Sequence, residues 1–75
     1  MNMAYVLINT DMGSESIVGD ELKKISEVKE VHGVYGVYDL VVKLEAATLD
    51  ELKEVISTQI RGLEAVRSTL TMIVM

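Results

Sequence analysis

The strongest constraint on the fold is that the apolar residues of this chain switch between two spacings, twice, in the same order. Residues 3–10 are almost continuously aliphatic, the pattern of a buried strand. Asp11-Met12-Gly13-Ser14 is a turn, and Val18, Leu22 and Ile25 then recur at helical spacing. Ser14 is the expected N-cap of that helix, with Glu15 in its favourable first turn. Gly19 inside it should weaken the helix by up to ~1 kcal/mol relative to alanine, which makes sense where a helix packs closely. A second strand is expected over residues 31–37, with Gly33 and Gly36 marking a bulge or a close backbone approach. Leu40, Val42 and Leu44 alternate with Val41, Lys43 and Glu45, a third strand with unlike faces, and residues 36–39 suit a hairpin connection. Thr48 followed by Glu51 is a capping box. Leu49, Leu52, Ile56, Ile60 and Leu63 continue as one helical stripe, Gly62 is placed to end it, and residues 66–75 make a last strand.

The order is β-α-β-β-α-β. Right-handed crossovers place the strands in the order 4-1-3-2, all antiparallel, with both helices on one face. This is a ferredoxin-like α+β sandwich. Seventy-five residues suffice for one domain, spanning 1–75.

Helices cover one face of such a sheet, yet the strands carry apolar residues on both. With Val6 and Ile8 toward the helices, the bare face is expected to hold Tyr5, Leu7, Val34, Val41 and Ile73, with threonines around them. Each such side chain is worth roughly 1.5–3 kcal/mol when taken out of water. A contiguous patch of them implies a sheet-to-sheet dimer with a second copy.

Composition narrows the chemistry. Twelve acidic against seven basic residues leave a net charge of −5, which disfavours nucleic acid and anionic membranes as direct partners. There is no cysteine, and the lone His32 builds no metal site, so no cofactor is expected. No apolar run approaches the ~20 residues of a membrane span, and the N-terminus lacks a basic flank, so a cytoplasmic protein is expected. Gly33-x-x-Gly36 is too sparse for a phosphate loop. The carboxylates of Asp20, Glu21, Glu27, Glu30, Glu51 and Glu54, interspersed with lysines, form solvated helix faces and ends. Asp39, in the segment Tyr35-Gly36-Val37-Tyr38-Asp39-Leu40, has two readings. It can close a turn by accepting backbone N–H bonds. It can also accept a ligand's ammonium while amides near Gly36 hold a carboxylate. Ser68, Thr69 and Thr71 fit a strand by shape, and equally a polar pocket at a subunit boundary.

Three groups of residues, in this order and spacing, resemble the ligand-binding (RAM) domain of the Lrp/AsnC transcription regulators: Gly36-x-Tyr38-Asp39-Leu40, Leu49-x-Glu51-Leu52, and Val66-Arg67-Ser68-Thr69-x-Thr71. The resemblance runs from Ala4 to Met75. It implies a ferredoxin-like domain that dimerises through its sheet and assembles further, commonly into rings of eight or ten subunits. It also implies an amino acid effector held between dimers. Gly36, Val37, Tyr38 and Asp39 would hold its amino and carboxylate groups, with Ser68, Thr69 and Thr71 contributing polar contacts from the other side. Regulators of the family carry an N-terminal helix-turn-helix, whereas this chain starts at its first strand. A stand-alone domain that does not itself read DNA is therefore expected, co-assembling with full-length regulators. Many full-length members have a small hydroxyl residue where this chain has Tyr35, and an aromatic there would narrow the pocket.

The expected function is an effector-binding and oligomerisation module. One alternative is a small dimeric ferredoxin-like enzyme of monooxygenase or isomerase type, using His32 with Tyr35 or Tyr38 in a cavity between helices and sheet. The other is an assembly block without a ligand.

Overall fold

The computed structural model describes residues 1–75. Strand β1 (Asn2–Thr10) leads through a turn into α1 (Glu15–Lys23), followed by β2 (Val28–Gly33) and β3 (Leu40–Ala46). Helix α2 (Leu49–Glu54) continues directly into a π-helical stretch, Val55–Ile60, before β4 (Val66–Ile73). The four strands form one antiparallel sheet in the order β2-β3-β1-β4, as the two repeated crossovers require.

The core lies between the sheet and the helices. The two central strands supply Ala4, Val6, Ile8, Leu40, Val42, Leu44 and Ala46, and the helices supply Val18, Leu22, Leu52, Val55, Ile56 and Ile60. All are buried. This is the period-two alternation of the sequence realised on β1 and β3, and the helical stripe realised on α2. Leu49, at the exposed start of the stripe, contributes little.

Local chemistry sets the helix ends. The Thr48 hydroxyl accepts from the Glu51 amide at 3.1 Å, one bond of the anticipated capping box. Ser14 occupies the N-cap of α1 without a capping side-chain bond; the turn before it is closed by the Ser14 amide donating to Asp11 O at 2.9 Å. Gly62 does end the helical segment, for a steric reason: a Cβ there would overlap the Thr58 carbonyl oxygen. Gly19 is buried, but a Cβ on it would meet only Val31 Cγ1 at 3.9 Å, an ordinary contact.

Three expectations are corrected. The second strand occupies Val28–Gly33, not 31–37, and its irregularity lies where the register shifts between Val28 and Glu30. Val34 therefore leaves the sheet face for the β2–β3 connection, where its amide donates to Asp39 O at 2.9 Å and Gly36 takes a positive φ of +139° that favours glycine. Ile73 and the threonines lie on the helix side. Antiparallel partners point the same way, and Ile73, Thr71 and Thr69 pair with Ala4, Val6 and Ile8, all fully buried there. Leu70 and Met72 take their place on the open face, paired with Leu7 and Tyr5.

Candidate functional site

The β2–β3 connection ends in Asp39, which ties three segments together. The Asp39 amide donates to Ile8 O at 2.9 Å, and its carbonyl accepts from the Val34 amide at 2.9 Å. Its carboxylate Oδ2 accepts from the Thr10 amide at 2.9 Å and from the Thr10 hydroxyl at 3.4 Å. The carboxylate stands in for a ladder carbonyl just beyond the last β1–β3 pair, Ile8 with Leu40. The turn-closing reading of Asp39 is thus realised, and Oδ1 stays free of these bonds.

Asp39 also lines two shallow clefts. One, of about 350 Å³, is lined by Asn9, Thr10, Asp39, Arg67 and Ser68, all polar. Here the Asn9 side-chain amide donates to Ser68 Oγ at 3.2 Å, and the Arg67 guanidinium lies 3.9 Å from Asp11 Oδ1, both mostly exposed. A carboxylate, a guanidinium, a hydroxyl and an amide around one opening can hold an ammonium and a carboxylate together. The other, also about 350 Å³, is lined by Glu15, Gly33, Val34, Tyr35 and Asp39, with Tyr35 fully exposed.

Of the residues singled out in the sequence, the fold therefore brings Asp39 and Ser68 together. Gly36, Val37 and Tyr38 lie on the same connection but line neither cleft; Val37 is 84% exposed and Tyr38 half-buried. Thr69 faces the helix side, and Thr71 lines a different groove, with Lys53, Ile56, Ser57, Arg61 and Ile73. Asn9, Thr10 and Arg67 were missed as cleft residues. The signal that finds them is register, since Asn9 pairs with Ser68 across β1 and β4.

The open face of the sheet divides in two. Tyr5, Leu7, Leu70 and Met72 form an apolar half on β1 and β4, and Val41 extends it onto β3. The β2 side is charged. His32 Nε2 lies 2.9 Å from Glu30 Oε1, and Lys43 Nζ lies 3.5 Å from Glu30 and 3.8 Å from Glu45. The hydrogen bond with His32 first, and the Lys43 charge second, hold the Glu30 carboxyl below its ordinary value.

The space between helices and sheet is filled by aliphatic side chains, and His32 lies on the other side of the sheet, bonded to Glu30. The enzyme alternative placed its acid–base residues in that space; the fold does not bring them there. No set of three or more His, Cys, Asp or Glu is positioned to hold a metal ion, and no helix is long and apolar enough to cross a membrane.

Residues 3–75 match the family model described as the Lrp/AsnC ligand binding domain. The chain belongs to this family. A search among proteins of curated function returned no match. Among solved structures, FFRP-DM1 is 41% identical, with full coverage of both chains and a TM-score of 0.97. The hypothetical protein PHS023 from Pyrococcus horikoshii is also 41% identical, covering 100% of this chain and 90% of its own, at a TM-score of 0.95. A Neisseria meningitidis transcriptional regulator, NMB0573, solved as an L-Met complex, is 10% identical at a TM-score of 0.85; this chain covers 49% of it and is itself covered over 99%. That last likeness shows the fold alone. The Lrp/AsnC domain is a regulatory ligand-binding domain, and the fold, the strand order and the two helices on one face agree with it.

Proposed function

We propose that this Lrp/AsnC domain binds a free amino acid at the Asp39 cleft and self-associates through the open face of its sheet. The observation that carries the reading is the meeting of Asp39 with Arg67 and Ser68 at one end of the sheet, opposite charges around one polar opening. Asp39 Oδ1 takes the effector's ammonium; Arg67 and Ser68 take its carboxylate. The exposed Gly36 and Val37 and the half-buried Tyr38 close over the ligand from a neighbouring dimer, which makes the site complete only in an assembly larger than two chains. Thr69 and Thr71, turned toward the helices, serve the fold and the neighbouring contact rather than the same cleft. The L-Met complex of a regulator with this fold supports the ligand class. The domain then acts in the cytoplasm on amino acid metabolism, through full-length regulators of its family and without touching DNA.

Thermal unfolding in the presence of each of the twenty amino acids tests this. A ligand at 100 times its dissociation constant stabilises the folded form by about 2.7 kcal/mol, a rise on the order of 10 °C for a domain of this size. Asp39→Ala should erase the rise. A flat response to all twenty at millimolar concentration sinks the effector role, and an undiminished response in the variant removes Asp39 from the site.

A further inference from the structure

The two halves of the open face restrict how a second copy can lie on it. A sheet face superposes fully on its own copy about a two-fold axis in two ways. An axis along the strands sets β4 over the copy's β2, so Leu70 and Met72 would cover Glu30 and His32, stripping water from charges without giving them partners. An axis across the strands sets each strand over its own copy, apolar half on apolar half and charged cluster on charged cluster. We propose that the open face docks a second copy in this second arrangement, and that the Glu30–His32–Lys43–Glu45 cluster, meeting itself there, makes self-association tighten as His32 takes up a proton. The proposal rests on the sheet-face pairing put forward above and names its regulation.

The sign follows from counting charge. With a neutral imidazole, two glutamates and one lysine leave each cluster at −1, and two clusters brought to the ~10 Å spacing of packed sheets repel. Burial between the sheets removes much of the salt that would screen them. Protonation of His32 takes each cluster to zero, and each imidazolium keeps the Glu30 carboxylate at 2.9 Å as partner. Glu30 stays ionised through this range, because its carboxyl is held below its ordinary value. Histidine is the side chain whose charge changes between pH ~5 and 8, and His32 is the sole one in the chain. The one other charge beside the cluster on β2, Lys29 at the register shift, donates its ammonium to the Ser26 carbonyl at 3.0 Å and makes no ion pair with these four. From β1 the cluster meets the Tyr5 phenol, and β4 offers only Leu70 and Met72 on these rows. Of the four charged residues of α1, Glu15, Asp20 and Lys23 lie with Val31 on the opposite face, and Glu21 lies beside Val18 and Leu63.

Sedimentation over a dilution series at pH 8, 7 and 6, at constant ionic strength, reads the dimer dissociation constant directly. It should fall from pH 8 to pH 6, by up to about tenfold per unit for each linked proton. His32→Gln should flatten the dependence, and Glu30→Gln should make the dimer tight already at pH 8. Both positions are exposed, and circular dichroism at each pH verifies the fold. A dimer of constant affinity, a dimer loosened by acid, or an undiminished slope in His32→Gln overturns this inference and leaves the sheet-face dimer standing. Folded single chains at all three pH values overturn both.

Discussion

The two faces of this one sheet are made by the same strands and do opposite things. Toward the helices, Ala4, Val6, Ile8, Val42 and Leu44 are completely buried. On the other face their immediate neighbours Tyr5, Leu7, Val41 and Lys43 are half-buried, and one half of that face is ionic. The difference is concentrated in the centre of the sheet, where β1 and β3 alternate strictly between buried and half-buried, while β2 and β4 bury little on either side. Two central strands and two helices thus hold the domain together, and the edge strands are left to present chemistry to something outside the chain.

The contrast is broken most forcefully by truncation. Leu44→Ala opens a hole in the closed layer and should cost about 2–5 kcal/mol, a large share of the stability of so small a domain. Leu7→Ala, one strand over and on the open face, should cost a dilute single chain less than about 1 kcal/mol, and show its main effect as weaker self-association. Urea unfolding at low concentration, paired with sedimentation at high concentration, separates the two. Equal costs in the single chain would mean that the open face is already closed within the monomer.

That asymmetry was only half legible in the sequence. The two-period pattern gives the element order, and the capping residues Thr48 and Glu51 locate α2, because these signals are local. The face assigned to β4 fails because 69, 71 and 73 against 70 and 72 is a choice made by register, and a single-residue slip inverts it. Both sets are apolar enough to be read either way. The charged half of the open face was hidden for the same reason. Glu30, His32, Lys43 and Glu45 are scattered in sequence and become neighbours only when β2 and β3 pair. In the cleft, Asp39 announces itself through its loop, but Asn9, Thr10 and Arg67 reach it through the β1 end and the β4 start, by contacts distant in sequence.

A smaller and sharper contrast lies between two glycines in the helical layer. Gly62→Ala forces a methyl into the Thr58 carbonyl oxygen, and should cost about 1–3 kcal/mol. Gly19→Ala places its methyl 3.9 Å from Val31 Cγ1 in ordinary contact, and should gain up to ~1 kcal/mol from helix propensity alone. The sequence suggests the reverse emphasis, since the mid-helix glycine is the one that looks as though it serves a close approach. Thermal midpoints of the two variants should move in opposite directions. A loss at Gly19→Ala would show that α1 sits closer to β2 in solution than the 3.9 Å contact allows.

The smallest effect tests whether the ionic half of the open face contributes to folding or only to association. The Glu30 carboxyl titrates below its ordinary value of 4.5 in the folded chain, chiefly through the His32 hydrogen bond and then the Lys43 charge. A carboxyl lowered on folding favours the folded state above its unfolded value, and that contribution fades as pH falls through the folded one. Glu30→Gln removes it. The variant should therefore be slightly less stable than the parent near neutrality, and the two should converge in acid, once the pH has fallen through the lowered folded-state value. Because the group is solvent-exposed, screening keeps the gap small at neutral pH, and added salt should narrow it further. A gap that persists unchanged into acid would assign the cost of the substitution to lost packing against β3 rather than to charge, and would leave self-association as the one process in which the ionic cluster acts electrostatically.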